Sequence, residues 1–521
     1  MNNTSRIKNS FYNLITGIGG QIVQILLKFV TRTVFIHMLG EAYLGVNGLF
    51  TDILSLLSIT ELGFDTAMNY RLYKPLAEND ETRLRMMLKF YKTVYVTIGI
   101  VILALGIGIM PFLKFLIRDY SVLEELNINI FLIFSLYLFQ SASSYLFFAY
   151  KSCIVRADQK GYVLEIAQAL ITIISNVVQI LVLVVTRNFF VYTIVLVAFT
   201  IIINLVNAII AKKMYPNLFS KSKETLRKSE KTDIFKDCGA LFIYKVNGVI
   251  TRATDNMIVS AFIGIVTVGF YSNYLLIYNT INTLLNRFYS ACKASLGNVF
   301  AVSETAKSYY FFEVMNFLTF ILYGTACVGI SVVSNEFISF WLGSQFLMPQ
   351  PIALLLGIEI LFSGIRNNLG QIRNVSGAFR QMWYRPLLGI IIKLIVSLVL
   401  VKYLGIPGIL IGTIVANLLT NFLVDPVVIY KYSFNNYKPV KCYYIRNISY
   451  FVVLAISCVL MFVICNLIVF ENAFITLAIH IVLCAILVPG IFIICYWKTD
   501  SCKYVITQIT KIFKKILRKN V

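Results

Sequence analysis

The stretch 189–211 reads FFVYTIVLVAFTIIINLVNAIIA and contains no charged side chain. A helix needs about 20 mostly apolar residues to cross the hydrocarbon core of a bilayer, so this stretch predicts a membrane-spanning helix. The rest of the chain has the same character, because 59% of its 521 residues are apolar and only 13% are charged. Soluble domains have about 45–50% apolar and about 25% charged residues. The composition therefore excludes a soluble enzyme, a disordered chain and a disulfide-rich secreted module.

Apolar runs between charged breaks predict an all-α integral membrane protein with about fourteen transmembrane helices. The first run is too long for a cleaved signal peptide, whose apolar region has about 7–15 residues. The predicted spans are 11–38, 42–70, 90–117, 127–150, 163–186, 189–211, 239–263, 267–292, 313–334, 352–374, 384–403, 408–430, 447–470 and 474–497.

The basic residues predict how these spans are oriented. Lys and Arg number 46 against 24 Asp and Glu, which gives a net charge of +22. Such an excess suggests a nucleic-acid partner in a soluble protein, but in a membrane protein basic residues collect on the cytoplasmic side. With the N-terminus inside, the outer segments hold only Lys114, Arg118, Arg187 and Lys402. We therefore expect both termini in the cytoplasm and no nucleic-acid partner.

The lengths of the segments suggest an internal duplication. Two lobes of six spans would be related by a pseudo-twofold axis along the membrane normal, because an even number of spans keeps both lobes parallel. Gly40 and Gly45 join the first two spans, and Gly264 and Gly269 join the seventh and eighth at the same spacing, although chance agreement is an alternative. The predicted parts are an N-lobe at 1–211, a basic cytoplasmic linker at 212–238, a C-lobe at 239–430, an extra hairpin at 431–497 and a basic tail at 498–521.

The tail and the loops offer little room for other chemistry. Apolar and basic positions in 498–521 alternate as in an amphipathic helix on the anionic inner leaflet, or as in a solvated tail. The sequence contains no phosphate-binding loop, no metal-ligand spacing around its two histidines and no cysteine pair at metal-site spacing. We expect no cofactor, no metal and no enzyme activity, since the outer loops are too short for a catalytic domain.

Ionisable residues inside membrane spans are costly, and each is a candidate for function. Polar stripes run along the first, second, seventh, eighth and tenth spans, which predicts one shared hydrated cavity between the lobes. The candidate substrate-binding cations are Lys28, Arg32, Lys245, Arg252, Arg287, Arg366 and Arg373. The candidate ion-coupling carboxylates are Asp52, Glu61, Asp65 and Asp255.

Each cation also has a structural interpretation. Arg252 could pair with Asp255 one helical turn away, while Arg32 could reach the outer interface and Arg287 and Arg373 the inner one. The cations as a set outnumber the nearby carboxylates, however, which favours an anionic ligand. Lys28 and Arg252 each precede their turn glycine by the same interval. This match predicts that the two cations face one another across the cavity and clamp one anion.

Four stretches resemble the oligosaccharide flippases, which export O-antigen and capsular repeat units, of the multidrug/oligosaccharidyl-lipid/polysaccharide (MOP) exporter superfamily. They are Leu39-Gly-Glu-Ala-Tyr-Leu-Gly-Val-Asn-Gly-Leu49, Glu61-Leu-Gly-Phe64, Thr254-Asp-Asn-Met-Ile-Val-Ser260 and Val268-Gly-Phe-Tyr-Ser-Asn-Tyr-Leu-Leu-Ile277. The resemblance implies a bacterial cell-membrane transporter with two rocking lobes and a cationic cavity. It also implies that undecaprenyl-diphosphate-linked sugar units are the cargo, and that membrane lipid and the glycosyltransferases and polymerase of the same pathway are partners.

Other classes remain open at this point. Related lipid II flippases have fourteen spans, and there the last pair forms a groove for the lipid tail. A drug/cation antiporter of the same superfamily would need an acidic or aromatic cavity for its cationic cargo, which the basic excess disfavours. A membrane glycosyltransferase or acyltransferase lacks its expected outer loops, and a scaffold that transports nothing would not explain the polar stripes.

The orientation can be tested at the linker. A cysteine introduced by Ser229→Cys, in a chain without its native cysteines, should resist membrane-impermeant thiol reagents in intact cells and react after the cells are opened, since basic segments stay inside. Labelling of intact cells would overturn the predicted topology.

Overall fold

The computed structural model describes residues 3–519 except 62–63, 127, 221–224, 303, 377–381 and 383. Within the helices, some residues are described by their backbone alone. These are 3–18, 22, 60–61, 65–67, 235–245, 247, 252, 288, 290–302, 375, 509 and 512–519.

The described part of the chain contains helices and no strand, which confirms the predicted all-α class. In chain order the helices are α1 Asn3–Leu39, α2 Glu41–Leu57, α3 Phe64–Ala77, α4 Glu81–Ile109, α5 Tyr120–Glu125, α6 Ile130–Leu146, α7 Ser152–Ala157, α8 Gly161–Thr186, α9 Phe189–Met214, α10 Lys228–Phe262, α11 Ile265–Val302, α12 Thr305–Leu342, α13 Gln350–Ser376, α14 Arg385–Leu404, α15 Ile406–Asn417, α16 Val424–Tyr432, α17 Lys441–Leu467, α18 Ala473–Tyr496 and α19 Asp500–Lys519.

Eleven helical segments of the described chain are long and apolar enough to cross a membrane, against fourteen predicted spans. The three predicted spans without a counterpart are 42–70, 239–263 and 267–292. The last two lie in the continuous helices α10 and α11, whose polar residues lower their hydropathy. The number fourteen therefore stays a prediction.

The predicted span 42–70 is interrupted. The helix α2 ends at Leu57, and a 3₁₀ turn follows at Ser58–Glu61 before α3 begins at Phe64. Along α2 the hydroxyl groups of Thr51, Ser55 and Ser58 donate to carbonyl oxygens four residues earlier, at 2.7, 2.8 and 2.9 Å. Such bonds compete with the helical ladder and can bend a helix, but the same bonds occur within the continuous helix α12, so they do not by themselves explain the break in the predicted span.

The chain divides into two compact units, Met1–Gly269 and Phe270–Val521. In the first unit, α1 packs against α8, α6 packs against α4 and α9, and α2 packs against α10. Few residues of the spanning parts of α8 and α9 are buried, as expected of lipid-facing helices. Helix α10, which the sequence assigns to the C-lobe, makes its packing contacts within the first unit.

The start of α2 crosses the start of α11 at a pair of glycines. A Cβ atom added at Gly45 would overlap the carbonyl oxygen of Ile265, and one added at Gly269 would overlap that of Glu41. The two contacts are reciprocal, because Glu41 and Ile265 each follow directly after a turn glycine and Gly45 and Gly269 come four residues later. Such reciprocity is what a twofold relation between repeats would produce, and the duplication itself stays a prediction.

In the second unit α12 is the central helix and is mostly buried. It packs against α13, α17, α18 and α19. Gly357 and Gly364 let α13 approach closely, because a Cβ atom at Gly357 would overlap the carbonyl oxygen of Cys327 and one at Gly364 the ring of Tyr323. Small residues at helix contacts are the usual means of close packing in membranes.

The close crossing at Gly45 and Gly269 predicts that one methyl group added at either glycine destabilises the protein. We expect Gly45→Ala and Gly269→Ala each to lower the free energy of unfolding by about 1–3 kcal/mol, the usual cost of overpacking. Thermal unfolding in detergent measures this change. The matched control is Gly108→Ala on α4, where an added Cβ meets nothing within 4 Å. Equal stability of Gly45→Ala and the control would contradict the close crossing.

Candidate substrate site

The first unit contains a polar cavity of about 530 Å³ between α2, α6 and α9. This size lies within the range of about 300–1,000 Å³ that ligand pockets occupy. Most of its lining side chains carry a hydroxyl or an amide group, and none of them is charged. The lining residues are Asn47, Thr51, Leu54, Ser55, Ser58, Tyr137, Gln140, Ser141, Ser144, Tyr192, Leu196 and Val249.

Hydrogen bonds fix the walls of this cavity. The hydroxyl of Tyr137 donates to the amide oxygen of Asn47 over 2.9 Å and so joins α6 to α2. The amide nitrogen of Gln140 donates to the hydroxyl of Thr200 over 3.2 Å and so joins α6 to α9. The cavity is therefore built on rigid helices, and the predicted stripe of α2 supplies one whole wall of it.

Arg32 lies beside this cavity. Its half-buried guanidinium interacts electrostatically with Tyr192, one of the lining residues. The neighbouring Thr31 donates to the amide oxygen of Asn176 over 2.7 Å, which ties this part of α1 to α8. Lys28, one turn earlier, is exposed. Of the cations predicted in α1, Arg32 is thus the one next to the cavity.

Two of the predicted carboxylates lie on the helix pair α2 and α10. Asp52 is half-buried and accepts a hydrogen bond from the amide nitrogen of Asn256 over 2.7 Å. Asp255 is buried, with 6% of its surface exposed. Neither carboxylate lines the cavity. The structure brings Asp52 and Asp255 to one helix contact, and their role as ion-coupling groups stays a prediction.

In the second unit, the polar stripes of α11 and α13 face each other. Tyr278 donates to Glu359 over 3.3 Å, and Ser363 donates to the amide oxygen of Asn282 over 3.3 Å. One turn further on, Asn367 donates to Asn286 and to the hydroxyl of Tyr323, and Tyr323 in turn donates to Asn286. The residues of α11 and α13 in these contacts follow a four-residue spacing on each helix. Their side chains form hydrogen bonds with one another, and we call this row of residues the polar ladder.

Arg366 lies at this ladder. Its Nη2 atom donates to the hydroxyl of Ser363 over 3.1 Å, and the phenols of Tyr278 and Tyr323 are near enough to interact with its charge. Within the described part of the chain, its guanidinium forms no ion pair. Arg366 is half-buried. Glu359 accepts a hydrogen bond from Tyr278 and is not in an ion pair with Arg366 in the described part of the chain, which leaves the charge of Arg366 available to an anion.

Arg373 has a different environment. It is buried, and its Nη1 atom lies 3.3 Å from Oδ2 of Asp425, whose Oδ1 atom lies 2.6 Å from Nε of Arg385. The interpretation that Arg373 reaches the inner interface is therefore wrong, because a buried charge needs a partner and Asp425 supplies it. The two guanidinium groups share one carboxylate, which leaves this buried triad with a net positive charge.

Of the remaining predicted residues, the structure describes the side chain of one. Arg287 is exposed on α11. The side chains of Lys245, Arg252, Glu61 and Asp65 lie outside the described residues, so the structure does not report where they point. The proposed clamp of Lys28 and Arg252 and the single cavity shared by both lobes stay predictions.

Several residues that line or support these sites were missed from the sequence. Tyr137, Tyr192, Tyr278 and Tyr323 were counted as apolar, although each presents a hydroxyl group to a polar neighbour or cavity. The run Gln140-Ser-Ala-Ser-Ser144 was a usable signal, because four polar residues in five are unusual within an apolar span.

A second cavity of about 700 Å³ lies in the first unit where α3, α7 and α9 end. Its charges are already paired, because Asp158 accepts from Tyr215 and lies 2.7 Å from Nζ of Lys160. Burial and the neighbouring Asp158 raise the pKa of the Tyr215 phenol well above its ordinary value, so this phenol stays protonated and donates. The cavity is larger than the one beside Arg32, but its paired charges make it a weaker candidate for an anion.

No family model matches the sequence, and no curated protein is similar to it. Solved structures do match the fold. A multidrug resistance MATE family transporter of the MOP superfamily, in an inward-facing conformation, matches with a TM-score of 0.57 at 12% identity, over 80% of this chain and 96% of that one. The lipid II flippase MurJ, in an inward closed conformation, matches with a TM-score of 0.58 at 17% identity, over 93% and 98%.

The MATE transporter VcmN of Vibrio cholerae, in a mutant form, matches with a TM-score of 0.53 at 13% identity, over 82% of this chain and 98% of that one. All three matched proteins are transporters, and each is covered almost completely. The chain therefore has the fold that is shared by MATE transporters of the MOP superfamily and by the lipid II flippase MurJ.

Proposed function

We propose that this chain is a flippase that moves undecaprenyl-diphosphate-linked oligosaccharide units from the inner to the outer leaflet of a bacterial cell membrane by alternating access. The observation that carries the proposal is the cavity between α2, α6 and α9. It is lined by neutral hydroxyl and amide groups with Arg32 beside it. Hydroxyl and amide groups bind sugar hydroxyls, and guanidinium groups bind phosphate oxygens.

The charge of the site favours an anionic cargo over a cationic one. No carboxylate lines the cavity, and in the second unit Arg366 is held by Ser363 rather than by an acid. A diphosphate head group cannot cross hydrocarbon unaided, because desolvation of its charges is too costly. An inside-negative membrane potential would assist its outward passage by about 2.3 kcal/mol per charge per 100 mV.

The lipid II flippase is the second candidate. MurJ matches over 93% of this chain, more than the MATE transporters do, and the hairpin of α17 and α18 supplies two helices beyond the two six-span lobes. Its cargo is also a lipid-linked diphosphate sugar, so the same cations would serve. The two functions differ in the sugar, not in the chemistry of the diphosphate.

The cargo can be decided in vesicles. Purified protein in proteoliposomes should flip undecaprenyl-diphosphate-oligosaccharide, scored by the fraction that an added lectin reaches, with protein-free liposomes as the baseline. Lipid II and the organic cation ethidium are tested in parallel. Movement of lipid II alone would replace the proposal by the second candidate, and movement of ethidium alone would favour the cation antiporter.

Charge-removing variants test the two arginines. Arg32→Gln and Arg366→Gln should each lower the initial rate of flipping by about tenfold or more, because a charge-assisted hydrogen bond contributes roughly 1.5–3 kcal/mol. Thermal unfolding of the same samples shows whether each variant is folded. The matched control is Arg187→Gln at the exposed end of α8, which should keep the wild-type rate. Unchanged flipping in both folded variants would contradict a cationic substrate site.

A further inference from the structure

His480 is fully buried and joins three segments of the second unit. It lies on α18, and its Nδ1 atom is 2.7 Å from Oε2 of Glu336 on α12. Its Nε2 atom is 2.7 Å from the carbonyl oxygen of Ile468, which directly follows α17. One imidazole ring therefore ties the hairpin of α17 and α18 to the central helix α12.

The atoms around the ring fix how many protons the contact needs. A carbonyl oxygen can only accept, so Nε2 must carry a proton, and in a neutral ring this leaves a lone pair on Nδ1. An ionised carboxylate also only accepts. Two acceptors 2.7 Å apart would repel, so one more proton must lie between Nδ1 of His480 and the Glu336 carboxyl group.

We infer that His480 and Glu336 together bind one proton, and that this proton fastens the hairpin of α17 and α18 to α12. The proton comes from water, and either His480 holds it as an imidazolium or Glu336 holds it as a carboxylic acid. In both forms every atom of the contact has a donor or an acceptor opposite it. This site is independent of the transport proposed above.

The surroundings of Glu336 favour a proton, rather than a lysine or arginine side chain, as the partner of its carboxylate. In the described part of the chain, the ion pair of Glu336 is with His480, and no lysine or arginine pairs with it. The other titratable groups near Glu336 are the thiols of Cys465 on α17 and Cys484 on α18, and Cys458 lies near Cys484. The Glu336 side chain is 37% exposed, which gives the proton a path to solvent.

Loss of the proton should loosen the contact of this end of the hairpin with α12, while the ion pair of Arg446 with Glu313 at the other end remains. The deprotonated pair would hold two acceptors and one uncompensated negative charge at a buried ring, and such groups are costly to leave unsatisfied. Glu336→Gln removes this dependence, because the amide group of glutamine donates to Nδ1 without any added proton. This variant therefore reproduces the proton-bound state at every pH.

The proton can be observed directly, because the chain has two histidines. In ¹⁵N-histidine-labelled protein with the exposed His37 changed by His37→Gln, the remaining ring signals belong to His480. NMR in nanodiscs should show both ring nitrogens of His480 protonated while the contact with Glu336 is intact. The alternative form is a neutral ring with an infrared band of protonated Glu336, absent in Glu336→Gln. A neutral ring beside ionised Glu336 in the intact contact would overturn the inference.

The contact of the α17–α18 hairpin with α12 is tested by thiol alkylation. In a chain that keeps only Cys465 and Cys484, which are buried, the two thiols should become accessible when this end of the hairpin loosens from α12. The negative charge of Glu336 disfavours thiolate formation at both cysteines in the wild type, which works against a faster reaction there. The measured quantity is the ratio of alkylation rates, wild type over Glu336→Gln at the same pH. It should be near unity at low pH and rise by about tenfold at high pH.

The matched control is Glu471→Gln, which removes the same charge from the exposed loop between α17 and α18. It should alkylate as the wild type does at every pH. A ratio that stays constant over the pH range would contradict the proton-dependent contact. The same protection in Glu471→Gln as in Glu336→Gln would assign the effect to net charge, which also contradicts it.

Discussion

Two glycines allow a close helix crossing in the first unit, where Gly45 lies against the backbone of Ile265 and Gly269 against that of Glu41. In a membrane, helices gain little from burying apolar surface against each other, so close packing through small residues supplies much of the attraction. This crossing fixes the position of α2. The polar stripe of α2 then forms one wall of the cavity beside Arg32, so the site depends on the crossing.

Placing a charge inside the protein is costly, and two arginines of the second unit differ in the partners that offset this cost. Arg373 pairs with Asp425, as does Arg385, whereas Arg366 is held by the hydroxyl of Ser363 in the ladder between α11 and α13, which also contains Glu359. A carboxylate partner compensates a buried arginine but makes its charge less available to an anionic ligand. Neutral hydrogen bonds position a cation and leave its charge to a ligand. By this criterion Arg366 is a better candidate than Arg373 for binding phosphate.

The sequence predicted which side of a helix is polar more successfully than it predicted which residues of two different helices pair with each other. Helical spacing identified the stripe of Asn47, Thr51 and Ser55, because one helix is enough to define a face. It did not identify Asp425 as the partner of Arg373, since tertiary packing alone brings two distant helices together. The break after Leu57 was missed because hydropathy averages over a window much longer than the turn Ser58–Glu61. His480 was considered only as a possible metal ligand, because its partner Glu336 lies on another helix.

The most direct test of the account is a cryo-electron microscopy structure of the protein with undecaprenyl-diphosphate-oligosaccharide bound. The account predicts density for the sugar against Thr51, Ser55 and Gln140, and density for the diphosphate within hydrogen-bonding distance of the Arg32 guanidinium group. Sugar density outside the cavity between α2, α6 and α9, with no arginine near the diphosphate, would contradict it.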